Sequence, residues 1–290
     1  MNMKKTLLGL GLAAMMVPAL AQPPLYFFED DDLDWVLTWD GSAYVPKTTG
    51  TLNEGDVLFS VFEIPTFEID GVDQLGGVRE LTGIAAVQVA SEIGGSYTFQ
   101  VWDDFNAYTG LSLPTGAAVA MWLDDTPDLD VVGDTPAELS CTTLNDCIAQ
   151  ATDGVLLQVD GFAGDPNEAW TGLATTTSLD DIQSGASTTP YVVFNAKLSA
   201  LYHSYAGTTT DDVCFLDEKT GLFAGCNLGY VDDGNVQILI SGTVLGGAGL
   251  GSMDVVGRSD FQGRKYVPEP ATLALFGIGL LGLGRRMKRA

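Results

Sequence analysis

The residues of this chain best suited to chemistry are carboxylates that fall close together. They form three clusters: Glu29-Asp30-Asp31-Asp32-Leu33-Asp34, then Asp124-Asp125 with Asp128 and Asp130, and Asp232-Asp233. Ca²⁺ takes six to eight oxygen ligands, so such clusters could hold it, although none follows the twelve-residue EF-hand loop. Solvated surface charge and turn chemistry account for most carboxylates of this kind. We therefore expect no cofactor, and we keep Ca²⁺ at Asp124, Asp125, Asp128 and Asp130 as an alternative.

Patterns for catalysis are absent or unspecific. Glycoside hydrolysis uses two carboxylates at a fixed spacing, but a chain with 38 acidic residues always offers some pair. A Ser-His-Asp triad would have to use His203, the only histidine, which is not part of a G-x-S-x-G elbow. The chain has no P-loop, no G-x-G-x-x-G after a strand and no H-E-x-x-H. We predict that it is not an enzyme, with a secreted polysaccharide hydrolase as an alternative.

Tryptophan side chains could stack on sugars. The chain has five: Trp35, Trp39, Trp102, Trp122 and Trp170. Trp102 and Trp122 lie in apolar runs, and we expect them in the core. Trp170 lies in a loop-like stretch that ends at Gly172. It is the candidate residue if the protein is a carbohydrate-binding module.

The elements that must position these residues are mostly short strands. Alternating or apolar runs between turn residues predict strands at 57–64, 80–93, 96–102, 117–123, 155–160, 191–202 and 236–244. Gly94-Gly95 joins two of them as a hairpin. Strands at this spacing predict an all-β fold, a β-sandwich of which the jelly roll is one form.

Helix signals are few. Thr135-Pro136-Ala137-Glu138 has the order of a capping box with Pro at the first helical position. Thr143 could cap a second short helix, and Ser178 a third. We expect one or two short helices in the body.

The first 21 residues have the pattern of a secretory signal peptide. Lys4 and Lys5 form a basic start, residues 7–17 are apolar, and Ala19-Leu20-Ala21 is an A-x-A cleavage site. A membrane anchor is the alternative, but the apolar run is too short for one. We expect export by the secretion machinery and cleavage by signal peptidase after Ala21.

The C-terminal tail combines three parts. Pro268 and Pro270 keep Val267-Pro268-Glu269-Pro270 extended, because proline fixes φ and has no N–H. Residues 271–284 are apolar; as a helix they would span ~21 Å, against ~30 Å of hydrocarbon. The cations Arg285, Arg286, Lys288 and Arg289 favour the cytoplasmic side. A buried C-terminal helix is the alternative, but four glycines weaken a soluble helix. We therefore expect a helix that anchors the chain in the inner membrane.

These three parts, in this order, resemble the PEP-CTERM sorting signal of Gram-negative bacteria over about the last 24 residues. The resemblance implies recognition by an exosortase, a membrane cysteine peptidase, with cleavage near Pro268-Glu269-Pro270. It also implies a link to exopolysaccharide or biofilm production. It implies nothing about the fold or ligand of the exported body, because the tail occurs on many unrelated bodies.

Charge excludes two classes of partner. Between Gln22 and Tyr266 there are 37 acidic and 7 basic residues, a net charge of −30. Such a field repels nucleic acid and anionic lipid surfaces. We therefore predict no nucleic-acid partner.

Cysteines are even in number, which in an exported chain indicates disulfides. Cys141, Cys147, Cys214 and Cys226 allow three pairings. We favour the local ones, Cys141–Cys147 and Cys214–Cys226, because short loops close most readily. One continuous helix would hold Cys141 and Cys147 too far apart, so we expect a break at Thr142-Thr143. A zinc site is the alternative, but the spacings do not fit it.

The predicted organisation has four parts. They are a signal peptide (1–21), a β-sandwich body (22–244), a Gly-rich spacer (245–265) and the sorting tail (266–290). The predicted function is that of a non-catalytic surface or matrix protein. We expect its body in the periplasm first and then at the cell surface or outside the cell.

Overall fold

The structure is a computed structural model that describes residues 25–69, 72–73, 75–164, 166, 168–203 and 238–266. In that part of the chain one sheet holds 12 strands. They are β1 (Leu25–Trp39), β2 (Tyr44–Pro46), β3 (Val57–Ile69), β4 (Val72–Asp73), β5 (Glu80–Ile93), β6 (Ser96–Val101), β7 (Ala117–Asp124), β8 (Val155–Gly161), β9 (Ala169–Ala174), β10 (Pro190–His203), β11 (Ile238–Gly246) and β12 (Gly257–Tyr266). The same residues form the short helices α1 (Phe105–Thr109), α2 (Leu144–Ala151) and α3 (Leu179–Ser184), and a 3-10 turn at Gly251–Met253.

Eight of the strands close into a ring. Their order is β3, β1, β12, β11, β10, β8, β7 and β5, and β5 then pairs with β3 again. All of these pairings are antiparallel. Closure pairs the N–H and C=O groups that an open sheet leaves free along its edges.

Two long strands allow this closure by changing partner along their length. β10 pairs with β9 through residues 192–197 and with β8 through residues 199–203. β5 pairs with β7 near its start and with β6 near its end, and β6 pairs with β9. Bulges lie between Val89 and Ser91 and between Ala200 and Tyr202. A bulge bends its strand and increases the twist, so one long strand can follow two neighbours.

The prediction of an all-β body is confirmed, but the sandwich is replaced by a closed, barrel-like sheet. The strands predicted at 57–64, 80–93, 96–102, 117–123, 155–160, 191–202 and 236–244 correspond to β3, β5, β6, β7, β8, β10 and β11. Gly94 and Gly95 both have positive φ, as a two-residue hairpin of type I′ requires. Sequence patterns predict where the strands lie but not which strands pair. The sheet closes into a ring because β3 pairs with β5, and this pairing could not be predicted from the patterns.

The core has two layers, one on each side of the ring wall. The interior is filled from many strands, for example by Phe62, Tyr97, Phe194 and Phe261. The outer layer packs the outward side chains of β1, β3, β5 and β7, such as Trp35, against α1, α2 and the loops before them. β5 and β7 are therefore buried on both faces over most of their length, which explains their nearly continuous apolar sequence.

The Gly-rich spacer predicted at 245–265 is wrong. β12 begins at Gly257 and pairs with both β1 and β11, so it completes the ring. The glycines have a packing reason: a Cβ on Gly249 would clash with the carbonyl oxygen of Asp134, and one on Gly247 with that of Val256. Close backbone approach, rather than flexibility, accounts for the composition of this segment.

Two of the three predicted helix starts are confirmed. Thr143 Oγ1 accepts a hydrogen bond from Asp146 N at the start of α2, and Ser178 Oγ accepts one from Asp181 N at the start of α3. The third is wrong, because Thr135 to Glu138 forms only a turn. Glu138 does accept a bond from Thr135 N, as in a capping box. However, Leu139 packs into the outer layer and Ser140 N donates to Asp130 O, which draws the chain away from a helix.

The disulfide Cys141–Cys147 is present, with 5.0 Å between its Cα atoms. Cys141 lies before Thr143, the N-cap of α2, and Cys147 lies within the helix. The predicted break at Thr142-Thr143 is therefore confirmed, because only a chain that turns at this point brings the two residues together.

No helix of the described ranges is long and apolar enough to cross a membrane. The predicted C-terminal anchoring helix and the signal peptide lie outside those ranges, as do Cys214 and Cys226.

Candidate functional site

An open groove on the surface is the candidate ligand site. Its volume is about 460 Å³, within the ~300–1,000 Å³ of typical ligand pockets. Its lining combines aromatic rings with hydroxyl, amide and carboxylate groups. The residues that matter are Tyr44, Tyr108, Thr142, Asn145, Ser252 and Asp254. We call this site the aromatic groove.

Buried rings hold the two groove tyrosines in place. The ring of Trp102 lies 4.9 Å from that of Tyr44 and 5.2 Å from that of Tyr108. Phe59 and Phe105 pack on Trp102 at 6.4 and 6.2 Å. Each such aromatic pair adds about 0.5–1.5 kcal/mol beyond area burial. The ring-bearing side of the groove is therefore formed before any ligand arrives.

Trp39 packs against the groove residue Tyr44 and is exposed at the surface. Its ring lies 5.3 Å from that of Tyr44, and 54% of the residue is exposed. Trp39 and Tyr44 are paired across the turn between β1 and β2. Asp40 Oδ1 accepts hydrogen bonds from the N–H groups of Ala43 and Ser42, which hold this turn and lower the pKa of Asp40.

The polar side of the groove comes from the start of α2 and from the 3-10 turn. Asn145, Ser252 and Asp254 are all exposed there. Asp254 has a φ of 58°, the only positive value at a non-glycine residue in the described ranges. Trp35 Nε1 donates to Met253 O at 2.9 Å and ties the turn to the outer layer. The polar groups of the groove thus stand on fixed backbone.

Trp170 does not contribute to this groove. It lies in β9, paired with Phe99 and Ala196, so the expectation of a loop is wrong. It is half-buried and stacks on Phe194 with 5.9 Å between the rings. Trp102 and Trp122 are buried, as predicted. Tyr44 and Tyr108 were missed, and Trp39 was named without being selected, because the groove joins four segments that lie far apart in the sequence.

The first acidic cluster lies in a strand rather than in a surface loop. Asp30, Asp32 and Asp34 alternate along β1 and face the interior of the ring. Asp30 Oδ1 accepts from Phe261 N at 2.8 Å, and Asp32 Oδ1 from Ser259 N. Asp34 Oδ2 accepts from Ser259 Oγ at 2.6 Å. The expectation of solvated charge is wrong here, and we call these three residues the inner carboxylate row.

Burial dominates the chemistry of this row. It raises the pKa of Asp34 to about 6. Burial, then the charge of Asp34, raises the pKa of Asp32, and burial, then the charge of Asp32, raises that of Asp30. Low dielectric and like charges both favour the protonated form.

The second acidic cluster is partly assembled. Asp124 and Asp128 meet Glu80, with one carboxylate oxygen of each within 4.8 Å of the others. Asp125 instead pairs with Arg79 at 2.8 Å, and Asp130 accepts a bond from Val132 N at 2.9 Å. Glu80, which sequence reasoning missed, accepts from the N–H groups of Asp128 and Leu129. These three carboxylates, Glu80, Asp124 and Asp128, form the outer cluster and could hold a cation.

Near the outer cluster, Glu63 is half-buried. Burial, followed by the charges of Asp130, Glu80 and Asp31, raises its pKa to about 7. Burial also raises the pKa of Glu80, against the two N–H groups that lower it. Carboxylates with raised pKa values are the general acids of glycosidases, so the hydrolase alternative has a physical candidate in Glu63.

The other predicted site residues are not informative in the structure. His203 ends β10, and its side chain is outside the description. Asp232, Asp233, Ala19, Ala21 and the tail residues from Val267 to Arg289 lie outside the described ranges.

Comparison with protein families identifies the tail. Residues 267–289 match the PEP-CTERM protein-sorting motif. The match includes Val267, Pro268, Glu269 and Pro270, and the cations after the apolar segment. It implies an exported protein that is processed by an exosortase-like membrane protein. No curated protein and no solved structure matches the chain.

Proposed function

We propose that this exported protein, which carries a PEP-CTERM sorting motif, is a non-catalytic surface protein that binds a neutral polysaccharide in its aromatic groove. The observation that carries the proposal is the groove itself, which is lined by the rings of Tyr44 and Tyr108 and by Asn145, Ser252 and Asp254, with exposed Trp39 packed against Tyr44. A sugar ring has an apolar C–H face and a rim of hydroxyl groups. Rings and hydrogen-bonding groups in one groove match both.

Two further features favour binding of a neutral chain over hydrolysis. Asp254 is the one carboxylate among the described residues lining the groove, whereas glycoside hydrolysis ordinarily uses a pair. The net charge of −30 between Gln22 and Tyr266 repels anionic polymers. We therefore place the protein in the exopolysaccharide matrix as a binding partner, with a hydrolase acting through Glu63 as the second candidate.

The binding proposal is tested with the exopolysaccharide of the producing cells. Trp39→Ala should weaken retention in affinity electrophoresis about fivefold, because stacking is worth about 1 kcal/mol. Asn145→Ala should weaken it less. The matched controls are Ile93→Ala and Thr98→Ala, two exposed residues away from the groove. Equal retention of all four variants would reject the groove, and release of reducing sugar that stops in Glu63→Gln would favour the hydrolase.

We also propose that an exosortase cleaves the tail near Pro268-Glu269-Pro270 after the apolar segment and its cations have halted export. Pro268→Ala with Pro270→Ala should leave the full-length chain in the membrane fraction. Fractionation and immunoblotting measure this, with Tyr266→Phe, just outside the matched residues, as the control. Normal processing of the double variant would contradict the proposal.

A further inference from the structure

One side of the ring has no second layer of side chains over its outer face. The outer layer covers β1, β3, β5 and β7. On β6, β9, β10 and β11 the outward side chains are exposed or half-exposed instead. We call the outward side chains of residues 96–100, 169–173, 193–197 and 241–243 the bare face.

A row of large apolar side chains crosses this side of the ring. Ile93 on β5 pairs with Ser96, and Ser96 pairs with Leu173. Leu173 pairs in turn with Val193. Ile93, Leu173 and Val193 are 79%, 62% and 50% exposed, and they are three of the seven large apolar residues that are exposed in the described part of the chain. Single exposed apolar residues are ordinary, but an aligned group of them indicates a contact surface.

The neighbouring row of the bare face is polar and uncharged. Thr98 pairs with Thr171, and Thr171 pairs with Asn195. Asn195 pairs with Ser241 on β11, and all four side chains are exposed. Hydroxyl and amide groups both donate and accept hydrogen bonds, so a row of them can bond to an identical row.

Charge decides which partner fits this surface. The chain between Gln22 and Tyr266 has a net charge of −30. The structure describes every residue of the bare face, and Lys197 is the one charged side chain among them. A cationic partner would bind the carboxylates on other surfaces, whereas a second copy of the chain is repelled by those surfaces. The bare face is a surface through which two copies can meet without bringing carboxylates together.

The area of this surface decides how stable such a contact is. Five strands, β5, β6, β9, β10 and β11, lie ~4.8 Å apart and about six residues of each contribute, so the surface measures ~24 Å by ~20 Å, or ~480 Å² per copy. Two copies would together bury ~960 Å², below the ~1,200–2,000 Å² of stable complexes. The area therefore fits a weak, reversible contact rather than an obligate one.

We propose that the bare face, together with Ile93 beside it, is the contact surface of a reversible homodimer. The two sheets pack face to face about a two-fold axis, so the apolar row of each copy covers that of the other. A dimer carries two aromatic grooves and can bind two polysaccharide strands. That consequence rests on the proposed function, whereas the contact itself does not and is measured without polysaccharide.

The test measures the mass of the full-length chain by sedimentation equilibrium, in a mild detergent whose density is matched by the solvent. The dissociation constant should be about 10⁻⁵–10⁻⁴ M, as a small interface allows. Sodium chloride should strengthen the association, because it screens the repulsion between two acidic bodies.

Two variants place a negative charge on the bare face. Leu173→Glu and Thr171→Glu should each weaken the association by about tenfold or more, because each sets like charges opposite one another. The matched control is Val155→Glu, at a valine of β8 that is 59% exposed and lies outside the bare face. It adds the same charge and should change the association little.

A chain that stays monomeric up to about ten times the expected dissociation constant, at low and at high salt, overturns the proposal. Association that persists in both Leu173→Glu and Thr171→Glu also overturns it, because the tail or another surface then forms the contact. Equal weakening in Val155→Glu, or association that weakens with salt, counts against it as well. If Leu173→Glu does not fold, Thr171→Glu decides, since it removes no apolar contact.

The dimer does not disturb the test of the aromatic groove. Affinity electrophoresis uses protein far below the expected dissociation constant, so the unaltered chain and the controls Ile93→Ala and Thr98→Ala are all monomers there. Loss of the dimer and loss of polysaccharide binding are therefore separate results.

Discussion

The two faces of β1 carry opposite chemistry although both are buried. Leu33, Trp35 and Leu37 point outward into the outer layer, and each is 0% exposed. Asp30, Asp32 and Asp34 point into the ring, and the first two are 2% exposed. Alternation of this kind usually marks a strand with one face in water. Here the outer layer covers the apolar face, and the ring encloses the charged one. Alternation of polar and apolar residues along a strand therefore shows that its two faces have different neighbours. It does not show which of the two faces is in contact with solvent.

The largest expected effect is on the apolar face. Trp35→Ala should lower the free energy of unfolding by roughly 3–5 kcal/mol, because it empties a fully buried site and removes the bond to Met253 O. Denaturant unfolding measures it. Trp39→Ala, at the exposed end of the same strand, should cost less than about 1 kcal/mol. Equal costs would show that the outer layer does not seal this face.

The charged face should respond with the opposite sign. With its pKa raised from 3.8 to about 6, Asp34 binds a proton more tightly in the folded chain. Its stabilising contribution is complete below about pH 4 and is lost as pH rises through about 6. In EDTA at pH 8, Asp34→Asn should therefore raise the free energy of unfolding by up to roughly 3 kcal/mol.

The same substitution should change little at pH 3, which lies below the pKa of this carboxyl in both the folded and the unfolded chain. The difference between unaltered chain and variant, followed by thermal unfolding from pH 3 to pH 8, reports the titration of Asp34 together with its effect on neighbouring Asp32. A difference that does not grow with pH would mean that the inner row is solvated, and the contrast between the two faces would fail.

Loss of the disulfide should have a smaller effect on stability, and this effect should be confined to the outer layer. Cys141 and Cys147, six residues apart, are both buried in the outer layer. Replacing both by Ser should cost about 2 kcal/mol, the expected loop-closure contribution for so short a loop. Proteolysis at α2 should accelerate, while protection of the interior strands from hydrogen exchange is kept. Loss of protection throughout would show that the two layers do not unfold separately.

The smallest effect on stability should come from the N-cap of α2, which lies in the outer layer. Thr143→Ala removes the acceptor for Asp146 N and should cost about 1 kcal/mol. Thr135→Ala is the matched control, since its predicted helix does not form, and should cost less. Thermal unfolding compares them. A larger loss in the control would assign a structural role to the turn at Glu138.

Local features of the fold could be predicted because a few neighbouring residues determine them. Gly94-Gly95 allows only a tight hairpin, and Thr143 can cap α2 whatever surrounds it. The Cys141–Cys147 bridge followed from loop length and helix geometry. β1 and β12 were missed for opposite reasons. Consecutive carboxylates in β1 resemble a solvated loop, and glycines near β12 resemble a linker, until their tertiary partners are known.

The candidate sites were harder to predict than the strands. Tyr44, Tyr108, Asn145 and Asp254 come together only because the outer layer folds over β1. Glu80 joined Asp124 and Asp128 through the pairing of β5 with β7. No spacing in the sequence encodes such contacts, since the separations exceed any local period.

By itself, the order of residues determined the export signals, the β-rich body, the hairpin and the local disulfide, since each depends on hydrophobicity, charge or backbone freedom within a short window. Tertiary structure decided that the sheet closes on itself, that three aspartates lie inside it and that the rings of a groove lie beside polar groups. The reason is dielectric and geometric. Asp30 and Asp32 are bonded inside the ring by N–H groups of β12, which lie more than two hundred positions away, and the ring closes only because β5 pairs with β3 as well as with β7.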